Sequence, residues 1–416
     1  MSAASAPSFQ LGAEHEAFRA EVRVFAESQF AAKAWYWDEH EEFPEENRRV
    51  LAAAGWFGLL IPPEYGGRGA PLIRSVLFVE EMARVCFNTT TICQIGLHGP
   101  ARAIAVLGNE EQKRRFLPGC ASGEHLFAIS ITEPGAGSAT TDIETTARDD
   151  GDAFVLHGHK CFTTLGAQCT HTLVFARFGT PSSAPEASGV EGMVRTMPGA
   201  PRGAKGIGAL IVDARSPGIT IGAADPKMGG RGAPECELRF AGVRVPKENV
   251  LVAGDPATSN GFRTLMSGFG PERVGNAAIC VGLAQAAYER TLAFVKERKQ
   301  FGRPIEEFQG LQWKIADMAT QIHAARLMVY RAATNERDGF PDPRDTTIAK
   351  LYANEMVQRV TNEAIQIHGH RGYTRLYPLE RMYRDARGYA VGGGTTEILR
   401  NTLAAIELGR TFDQRG

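Results

Sequence analysis

The sequence predicts an α+β protein of several domains: an N-terminal α-helical domain, a central β-sandwich or barrel domain and a C-terminal helical bundle. Three observations predict this order. Apolar residues recur at helical spacing through residues 13–126, short β-branched and aromatic runs follow, and long helical patterns return from residue 258. We place the domain boundaries at 1–126, 127–250 and 251–416, which suits a chain of 416 residues.

The N-terminal domain opens with an amphipathic pattern. The apolar residues Phe18, Val22, Phe25, Ala26 and Phe30 fall on one helical face because they recur every three or four positions. Proline and glycine interrupt the pattern in IPPEYGGRGAP. Further helical segments are predicted at residues 47–56, 72–85 and 98–107.

The central domain is predicted from short segments bounded by Gly, Pro, Asp or Asn. These segments are FAISIT, AFVLHGHKCFTT, HTLVFARF, GALIVDA, GITIGA, ELRFAG and VRVP. Their composition and spacing are typical of strands in a sandwich or barrel. Residues 179–206 are rich in Gly, Pro, Ser and Ala, which predicts an exposed loop.

Charge and cysteine content exclude several classes of function. Lys plus Arg total 46 and Asp plus Glu total 47, so the net charge is -1 and nucleic-acid binding is not expected. The 7 cysteines form no CxxC pair, which favours reduced thiols in a cytoplasm. We expect no membrane span and no targeting segment, because no apolar run is long enough and the first residues lack a basic or apolar leader. The Arg-rich composition suits a bacterium.

Five motifs in order carry a family resemblance. They are ITEPGAGS (131–138), GHKCFTT (158–164), RKQFGRPIEEFQGLQ (298–312), QIHGHRGYTRLYPLERMYRDAR (366–387) and GGGTTEI (392–398). The glycine-rich turn in the first could let main-chain N–H groups approach a phosphate or a flat ring. Together, over about residues 13–410, the motifs resemble the acyl-CoA dehydrogenase superfamily.

The resemblance implies a fold, a cofactor and partners. The fold has a helical domain, a β domain and a C-terminal four-helix bundle, and the subunits are expected to form a homotetramer, with a dimer as the second possibility. One FAD per subunit is expected between the β domain and the bundle, partly held by a neighbouring subunit. The implied substrate is an acyl-CoA, and the implied electron acceptor is an electron-transfer flavoprotein.

The resemblance also assigns flavin contacts to the first two motifs. Ile131 and Thr132 are expected at the pyrimidine side of the isoalloxazine. Ser138 is expected near the pyrophosphate or the CoA chain, and Thr164 near the flavin N5. Phe162 stands where a tryptophan commonly stacks on the flavin, and its ring can supply the same kind of face.

The later motifs match residues around the rest of the FAD. Arg298, Phe301 and Gln309 match residues that reach the FAD of a neighbouring subunit, where a guanidinium suits pyrophosphate. The positions matching contacts to the adenosine part are Gln366, Gly369, Thr395 and Glu397. Arg371 adds a cation close to this region, where it could meet a phosphate. No metal site is predicted from His368 and His370.

The catalytic base departs from the common pattern. Most members of the family carry a Glu just before the Gly-Thr that is Gly394-Thr395 here, but this chain has Gly393. The main-chain N–H at Gly393 could still polarise the thioester carbonyl. A minority, including isovaleryl- and long-chain-type enzymes, place the base before an Arg on a bundle helix, which corresponds to Glu272 and Arg273.

We therefore expect Glu272 to remove the α-proton while a hydride leaves the β-carbon for flavin N5. Arg273 and Gly394 are expected to border the substrate, although Arg273 could instead support the helix start. The Gly-Gly-Gly run (392–394) favours a branched, cyclic or otherwise bulky acyl group.

Several alternatives stay open. Glu272 could be only a carboxylate facing a helix N-terminus. The same fold also serves desulfinases, oxidases and monooxygenases, and a non-catalytic flavin-binding protein is a third class. The thioester could be carried by an acyl carrier protein instead of CoA.

Overall fold

A computed structural model describes residues 11–179, 203–337 and 339–412. Seven α-helices form the N-terminal part: α1 (Ala13–Phe30), α2 (Ala34–Glu39), α3 (Glu45–Ala53), α4 (Leu72–Ala83), α5 (Phe87–His98), α6 (Pro100–Leu107) and α7 (Glu110–Ser122). The sequence predicts helical character across this region and segments that match α1, α3, α4 and α6, but it singles out neither α2 nor α7 and misses α5. Its stretch FNTTTICQIGLH contains β-branched and polar residues and has no clear amphipathic period, because nearly all its side chains are buried.

Local chemistry explains where these helices begin and pack. The predicted apolar face of α1 is buried at Phe18, Val22, Ala26 and Phe30. Helix α7 begins with a capping box in which the Asn109 side chain accepts from the Gln112 main-chain N–H and the Gln112 side chain accepts from the Asn109 N–H.

The central part is one connected mixed sheet. Its strands are β1 (Phe127–Ser130), β2 (Thr146–Asp149), β3 (Ala153–Thr164), β4 (His171–Phe178), β5 (Ile207–Asp213), β6 (Ile219–Ala224), β7 (Glu235–Pro246) and β8 (Val250–Val252). The order is β6-β7-β3-β2-β4-β5-β8, and β1 pairs with β4 in parallel. Two of the predicted segments, ELRFAG and VRVP, form the single strand β7, and β2 and β8 were not anticipated.

Alternation along β4 explains how this sheet is covered on both faces. Leu173 and Phe175 pack with residues of α6 and α7, whereas Val174 and Ala176 point the other way. On that second face they share an apolar cluster with Leu238 and other β7 residues, although β3 and β2 lie between β4 and β7 in the sheet. The sheet therefore curls over its own interior, in agreement with the predicted sandwich or barrel.

The C-terminal part is helical. Its elements are α8 (Asn260–Gly268), α9 (Gly270–Glu297), β9 (Lys299–Gln300), β10 (Arg303–Pro304), α10 (Gln309–Thr334), β11 (Glu336–Arg337), β12 (Phe340–Pro341), α11 (Pro343–His368), α12 (His370–Tyr373), α13 (Leu379–Gly388) and α14 (Thr396–Glu407). Helices α9, α10 and α11 pack against one another, and α13 and α14 pack on α11. Short 3₁₀ helices occur at Ala31–Lys33, Pro63–Tyr65, Thr140–Asp142, Lys247–Asn249 and Ile305–Glu307.

Helix α4 joins the two helical parts by packing on α9. The approach is so close that a Cβ added at Gly282 would lie 2.0 Å from the Glu80 main-chain oxygen. The Glu80 side chain is buried in the same contact, where it accepts from Arg326 and Tyr330 of α10. The N-terminal and C-terminal helices consequently share one core, and the domain boundaries predicted above stay a prediction.

Two features are absent from the described residues. Within residues 11–179, 203–337 and 339–412, no helix is both long enough and apolar enough to span a membrane. The same ranges contain no group of three or more His, Cys, Asp or Glu side chains placed to hold a metal ion. Most of the predicted 179–206 loop falls outside the described residues.

Candidate active site

The first turn of α9 carries Glu272, whose carboxylate lies beside the Gly393 main chain. A Cβ built on Gly393 would stand 3.2 Å from Oε1 and 3.4 Å from Oε2 of Glu272. The Asn276 side chain, one turn along α9, donates to Oε1 at 2.8 Å. Oε2 is buried and has no hydrogen-bond partner among the described residues. The structure thus brings together the two positions between which the family places its base.

The glycine run forms a tight turn that a buried lysine holds in place. Gly393 and Gly394 have φ of 67° and 97°, which is left-handed backbone that favours glycine. Lys350, on α11, donates to the main-chain oxygens of Tyr389, Gly392 and Gly394 at 3.2, 2.9 and 3.1 Å. Burial lowers the pKa of Lys350 to about 8, although the nearby negative charge of Glu272 opposes this.

Behind Glu272 a chain of buried polar side chains runs into the N-terminal part. Gln94 Nε2 lies 2.7 Å from the Glu272 main-chain oxygen and 2.9 Å from Asn276 Oδ1. Gln94 Oε1 lies 2.6 Å from His98 Nδ1, and His98 Nε2 lies 2.7 Å from Ser75 Oγ. Burial lowers the pKa of His98 to about 3, so its imidazole is neutral at physiological pH.

The glycine-rich turn of the first motif is anchored by an ion pair. Lys160 Nζ donates to Glu133 Oε1 at 2.7 Å and to the Ile131 main-chain oxygen at 2.9 Å. Burial alone would raise the pKa of Glu133, but Lys160 and donors from residues 144–145 lower it below its usual range. The main chain is tied as well, since Cys161 N–H donates to the Thr132 oxygen at 2.9 Å.

The predicted flavin-facing residues of this region lie on the open side of β3. The Phe162 ring is 61% exposed, and its φ of 54° is rare for a residue other than glycine. Thr164 donates to Glu235 at 3.3 Å, and Ser138 is exposed in the turn. An exposed aromatic face on a strained residue beside an exposed glycine-rich turn fits a flat ring with a phosphate tail.

A second set of predicted residues surrounds a cavity at the other end of α9. Its volume is about 590 Å³, and Arg298, Phe301 and Gly369 line it together with Arg371. Phe301 is 93% exposed. The predicted contact residues Gln309, at the start of α10, and Gln366, near the end of α11, are both exposed. The cationic and aromatic lining fits an anionic ligand that carries a ring.

The cavity lies far from Glu272. Glu272 and Arg298 lie at opposite ends of α9, so the helix rise separates them by about 39 Å. One dinucleotide does not span that distance. Thr395 caps α14 by accepting from the Ile398 N–H, and Glu397 is exposed in the same turn, so these two lie near the Gly393 end and not with Gln366 and Gly369.

Sequence reasoning missed the supporting residues. Gln94, Asn276, His98, Lys350 and the Glu133–Lys160 pair were not singled out. A signal existed for two of them, because Lys350 and Lys160 are charged residues inside apolar runs, IAKLYA and HKCF, where an unpaired charge is costly. Arg273 was expected at the substrate, and in the structure its Nε lies 3.5 Å from the Gly393 oxygen.

Comparison with known proteins identifies the family. The chain matches the N-terminal domain of acyl-CoA dehydrogenases over residues 12–124, the middle domain over 128–243 and the C-terminal domain over 259–408. The chain therefore belongs to the acyl-CoA dehydrogenase family, a family of oxidoreductases.

Individual relatives differ in their named activities. A 3-sulfinopropanoyl-CoA desulfinase of Advenella mimigardefordensis is 38% identical, and the match covers 95% of this chain and 94% of the relative. A protein of Bacillus subtilis named "Probable acyl-CoA dehydrogenase YngJ" is also 38% identical, over 95% and 98% of the two chains. The solved butyryl-CoA dehydrogenase from Megasphaera elsdenii superposes with a TM-score of 0.87 at 32% identity and covers 97% of this chain and 100% of its own.

Proposed function

We propose that this protein dehydrogenates an acyl-CoA thioester between its α- and β-carbons, with Glu272 as the base that removes the α-proton. The observation that carries the proposal is the position of the Glu272 carboxylate. Both of its oxygens lie within 3.4 Å of the position that a Cβ at residue 393 would take. A carboxylate oxygen that is buried and unpaired there is suited to accept a proton from carbon.

The missing side chain at Gly393 supports the same assignment. A glutamate at residue 393 would place its Cβ against the Glu272 carboxylate and 2.9 Å from Asn276 Nδ2. Two carboxylates in that space would also repel each other. The chain therefore has room for one base, and the main-chain N–H of Gly393 is left to donate to the thioester oxygen.

FAD, the cofactor of this family, supplies the hydride acceptor at its N5. Phe162 offers a ring face for the flavin, and Thr164 and Thr132 offer polar groups beside it. The Glu133–Lys160 pair keeps the motif that carries Ile131, Thr132 and Ser138 in register with β3. These residues would orient the cofactor beside the α- and β-carbons that react.

The glycine turn also bears on the acyl group. Residues 392–394 present no side chain beside Glu272, and Lys350 fixes their main chain from behind. A Cβ at Gly392 or Gly394 would meet no atom closer than 3.6 Å or 3.9 Å, so the space beside these two glycines is open to substrate. We therefore propose a branched, cyclic or otherwise bulky acyl group, and an electron-transfer flavoprotein as the protein that reoxidises the enzyme.

The experiment is an anaerobic titration of the FAD-loaded protein with branched, cyclic and straight acyl-CoAs, followed by flavin absorbance. We expect a bulky acyl-CoA to bleach the flavin. In Glu272→Gln, with FAD still bound, the rate of bleaching should fall by at least about 10³-fold. Highest rates with straight butyryl-CoA would contradict the substrate class. Full activity of Glu272→Gln would show that Glu272 is not the base.

A desulfinase is the second candidate, because this chain lacks a carboxylate at residue 393 and 38% of its residues are shared with a relative named as one. The two functions separate in the same titration. A desulfinase would release sulfite from a sulfinyl acyl-CoA without lasting bleaching, whereas a dehydrogenase leaves the flavin reduced until an acceptor is added.

The separation of Arg298 from Glu272 along α9 supports a shared site in an oligomer. We propose that Arg298 and Phe301 contact the FAD of a neighbouring subunit in a homotetramer. Mixing Arg298→Ala subunits with Glu272→Gln subunits tests this. A site that takes Glu272 from the first variant and Arg298 from the second has both residues intact. With random pairing we expect about a quarter of wild-type activity to return. No recovery after verified subunit exchange would mean that each chain builds its own site.

A further inference from the structure

The buried polar chain behind Glu272 has no role in the function proposed so far. It links three helices: Ser75 lies on α4, Gln94 and His98 on α5, and Asn276 on α9. All four side chains are almost completely buried. Buried polar groups are costly unless every donor meets an acceptor, so the directions of these hydrogen bonds are not free.

We propose that Ser75, His98, Gln94 and Asn276 form a one-way hydrogen-bond relay that holds the Glu272 carboxylate in its ionised, substrate-facing position. These four are positioning residues, and the inference rests on the proposed role of Glu272. In the relay each group donates towards Glu272: Ser75 to His98 Nε2, His98 Nδ1–H to Gln94 Oε1, Gln94 Nε2 to Asn276 Oδ1, and Asn276 Nδ2 to the carboxylate.

The main-chain oxygen of Glu272 fixes the direction. It lies 2.7 Å from Gln94 Nε2, and a main-chain oxygen only accepts. Gln94 must therefore point its NH₂ group at α9 and its oxygen at His98. Because the neutral imidazole carries one proton, that proton must be on Nδ1, where Gln94 Oε1 can accept it.

Reversing the relay is unfavourable. If the His98 proton sat on Nε2, Gln94 would have to turn its NH₂ group towards Nδ1 and place its oxygen 2.7 Å from the Glu272 main-chain oxygen. Asn276 would turn in response and place its own oxygen 2.8 Å from the carboxylate. That second contact is tolerable only when Glu272 is protonated, so the relay favours the charged base.

Ser75 closes the far end. Its hydroxyl has two acceptors within reach, His98 Nε2 at 2.7 Å and the Leu72 oxygen at 2.8 Å. Leu72 lies in the first turn of α4, where its oxygen also serves the helix. The single serine hydrogen is therefore free to go to His98. Gly275 completes the arrangement, because a Cβ there would lie 2.1 Å from Gln94 Oε1 and block the contact between α5 and α9.

Other ionisable groups near Glu272 are Arg273 on α9, Lys350 on α11, Tyr389 before the glycine turn and His98 on α5. None of them is changed when Asn276 is replaced. A shift in pH dependence on that replacement therefore reports the lost donor and not a new charge.

The first test is neutron diffraction of the FAD-loaded wild-type protein in D₂O. We expect deuterium on His98 Nδ1 and none on Nε2. Deuterium on Nε2, alone or together with Nδ1, would overturn the relay whether or not Glu272 is the base. This measurement needs no variant to fold and no substrate to react.

The second test is the pH dependence of anaerobic flavin reduction in Asn276→Leu, with Asn276→Ser if the leucine variant does not fold. Asn276 donates to the ionised form of Glu272. Losing this donor should therefore move the acidic limb of the pH–rate profile to higher pH by about one unit or more. Asn249→Leu is the matched control, since Asn249 is a buried, hydrogen-bonded asparagine of the β domain. Asn249→Leu should lower the stability of the protein and leave the pH of the acidic limb unchanged.

The outcomes separate the two proposals. An unmoved limb in both Asn276 variants, with Glu272→Gln inactive, would reject the relay and keep the base. An active Glu272→Gln would reject the base, and the neutron result would still decide the direction of the hydrogen bonds.

Discussion

Glycine at position 393 meets two separate demands of its surroundings. Its φ of 67° is easy for glycine and strained for other residues, and its Cα stands so close to Glu272 and Asn276 that a Cβ would touch both. The first demand comes from the turn, which Lys350 holds from behind. The second comes from the carboxylate, so residues 272 and 393 have to be considered as one unit.

We expect Gly393→Ala to reduce the rate of anaerobic flavin reduction by about tenfold or more, because the added methyl displaces the base by a few tenths of an ångström. Stopped-flow absorbance would measure it. Gly409→Ala is the matched control: Gly409 has a similar φ of 64° but no atom within 4 Å of its Cβ. Both variants should lose about 1 kcal/mol of stability, and only the first should lose rate. Equal rates would show that the contact with Glu272 is unimportant.

At the scale of elements, α9 organises the molecule. Its first turn carries Glu272 and its end leads to Arg298, while its middle packs on α4 through Gly282. Helix α5 reaches the same first turn with Gln94. The position of the Glu272 carboxylate relative to the glycine turn thus depends on how α4 and α5 pack against α9, which ties the stability of this packing to the candidate site.

Gly282→Ala should destabilise the protein by about 1–3 kcal/mol or more, because its methyl would overlap the Glu80 main-chain oxygen and push α4 and α9 apart. Thermal unfolding of the FAD-loaded protein would measure the loss. Gly388→Ala, at the end of α13 with open space around its Cβ, is expected to be neutral or slightly stabilising. A neutral Gly282→Ala would mean that the two helices separate at little cost.

At the scale of the whole molecule, three parts of the chain meet around α13. Arg384 pairs with Asp38 of α2 and donates to the Met228 oxygen, and the neighbouring Asp385 accepts from the Gly230 N–H at 2.7 Å. Burial raises the pKa of Asp385 to about 7, and the charge of Asp38 adds to this. Protonation of one buried carboxyl is therefore coupled to the junction of all three parts.

The raised pKa predicts how stability changes with pH. The folded state holds a proton on Asp385 that the unfolded state releases near 3.8, so this contribution is complete below that pH and is lost as pH rises through about 7. Asp385→Asn keeps an oxygen for Gly230 but cannot ionise. Relative to wild type, the variant should gain roughly 1–4 kcal/mol between pH 5 and pH 8, as measured by denaturant unfolding. A difference that does not change with pH would mean that Asp385 stays ionised.

The amino-acid sequence alone predicted the order of helical, β and helical parts, the family, and Glu272 as a candidate base in place of a side chain at residue 393. These predictions follow from local periodicity, turn residues and short motifs, each of which lies within a short stretch of sequence. The side chains that hold Glu272 are apparent only in the folded chain, since Gln94 is 178 positions away and no local pattern pairs them. The folded chain also places Arg298, a predicted FAD contact, at the opposite end of α9 from Glu272, because a helix converts sequence separation into distance.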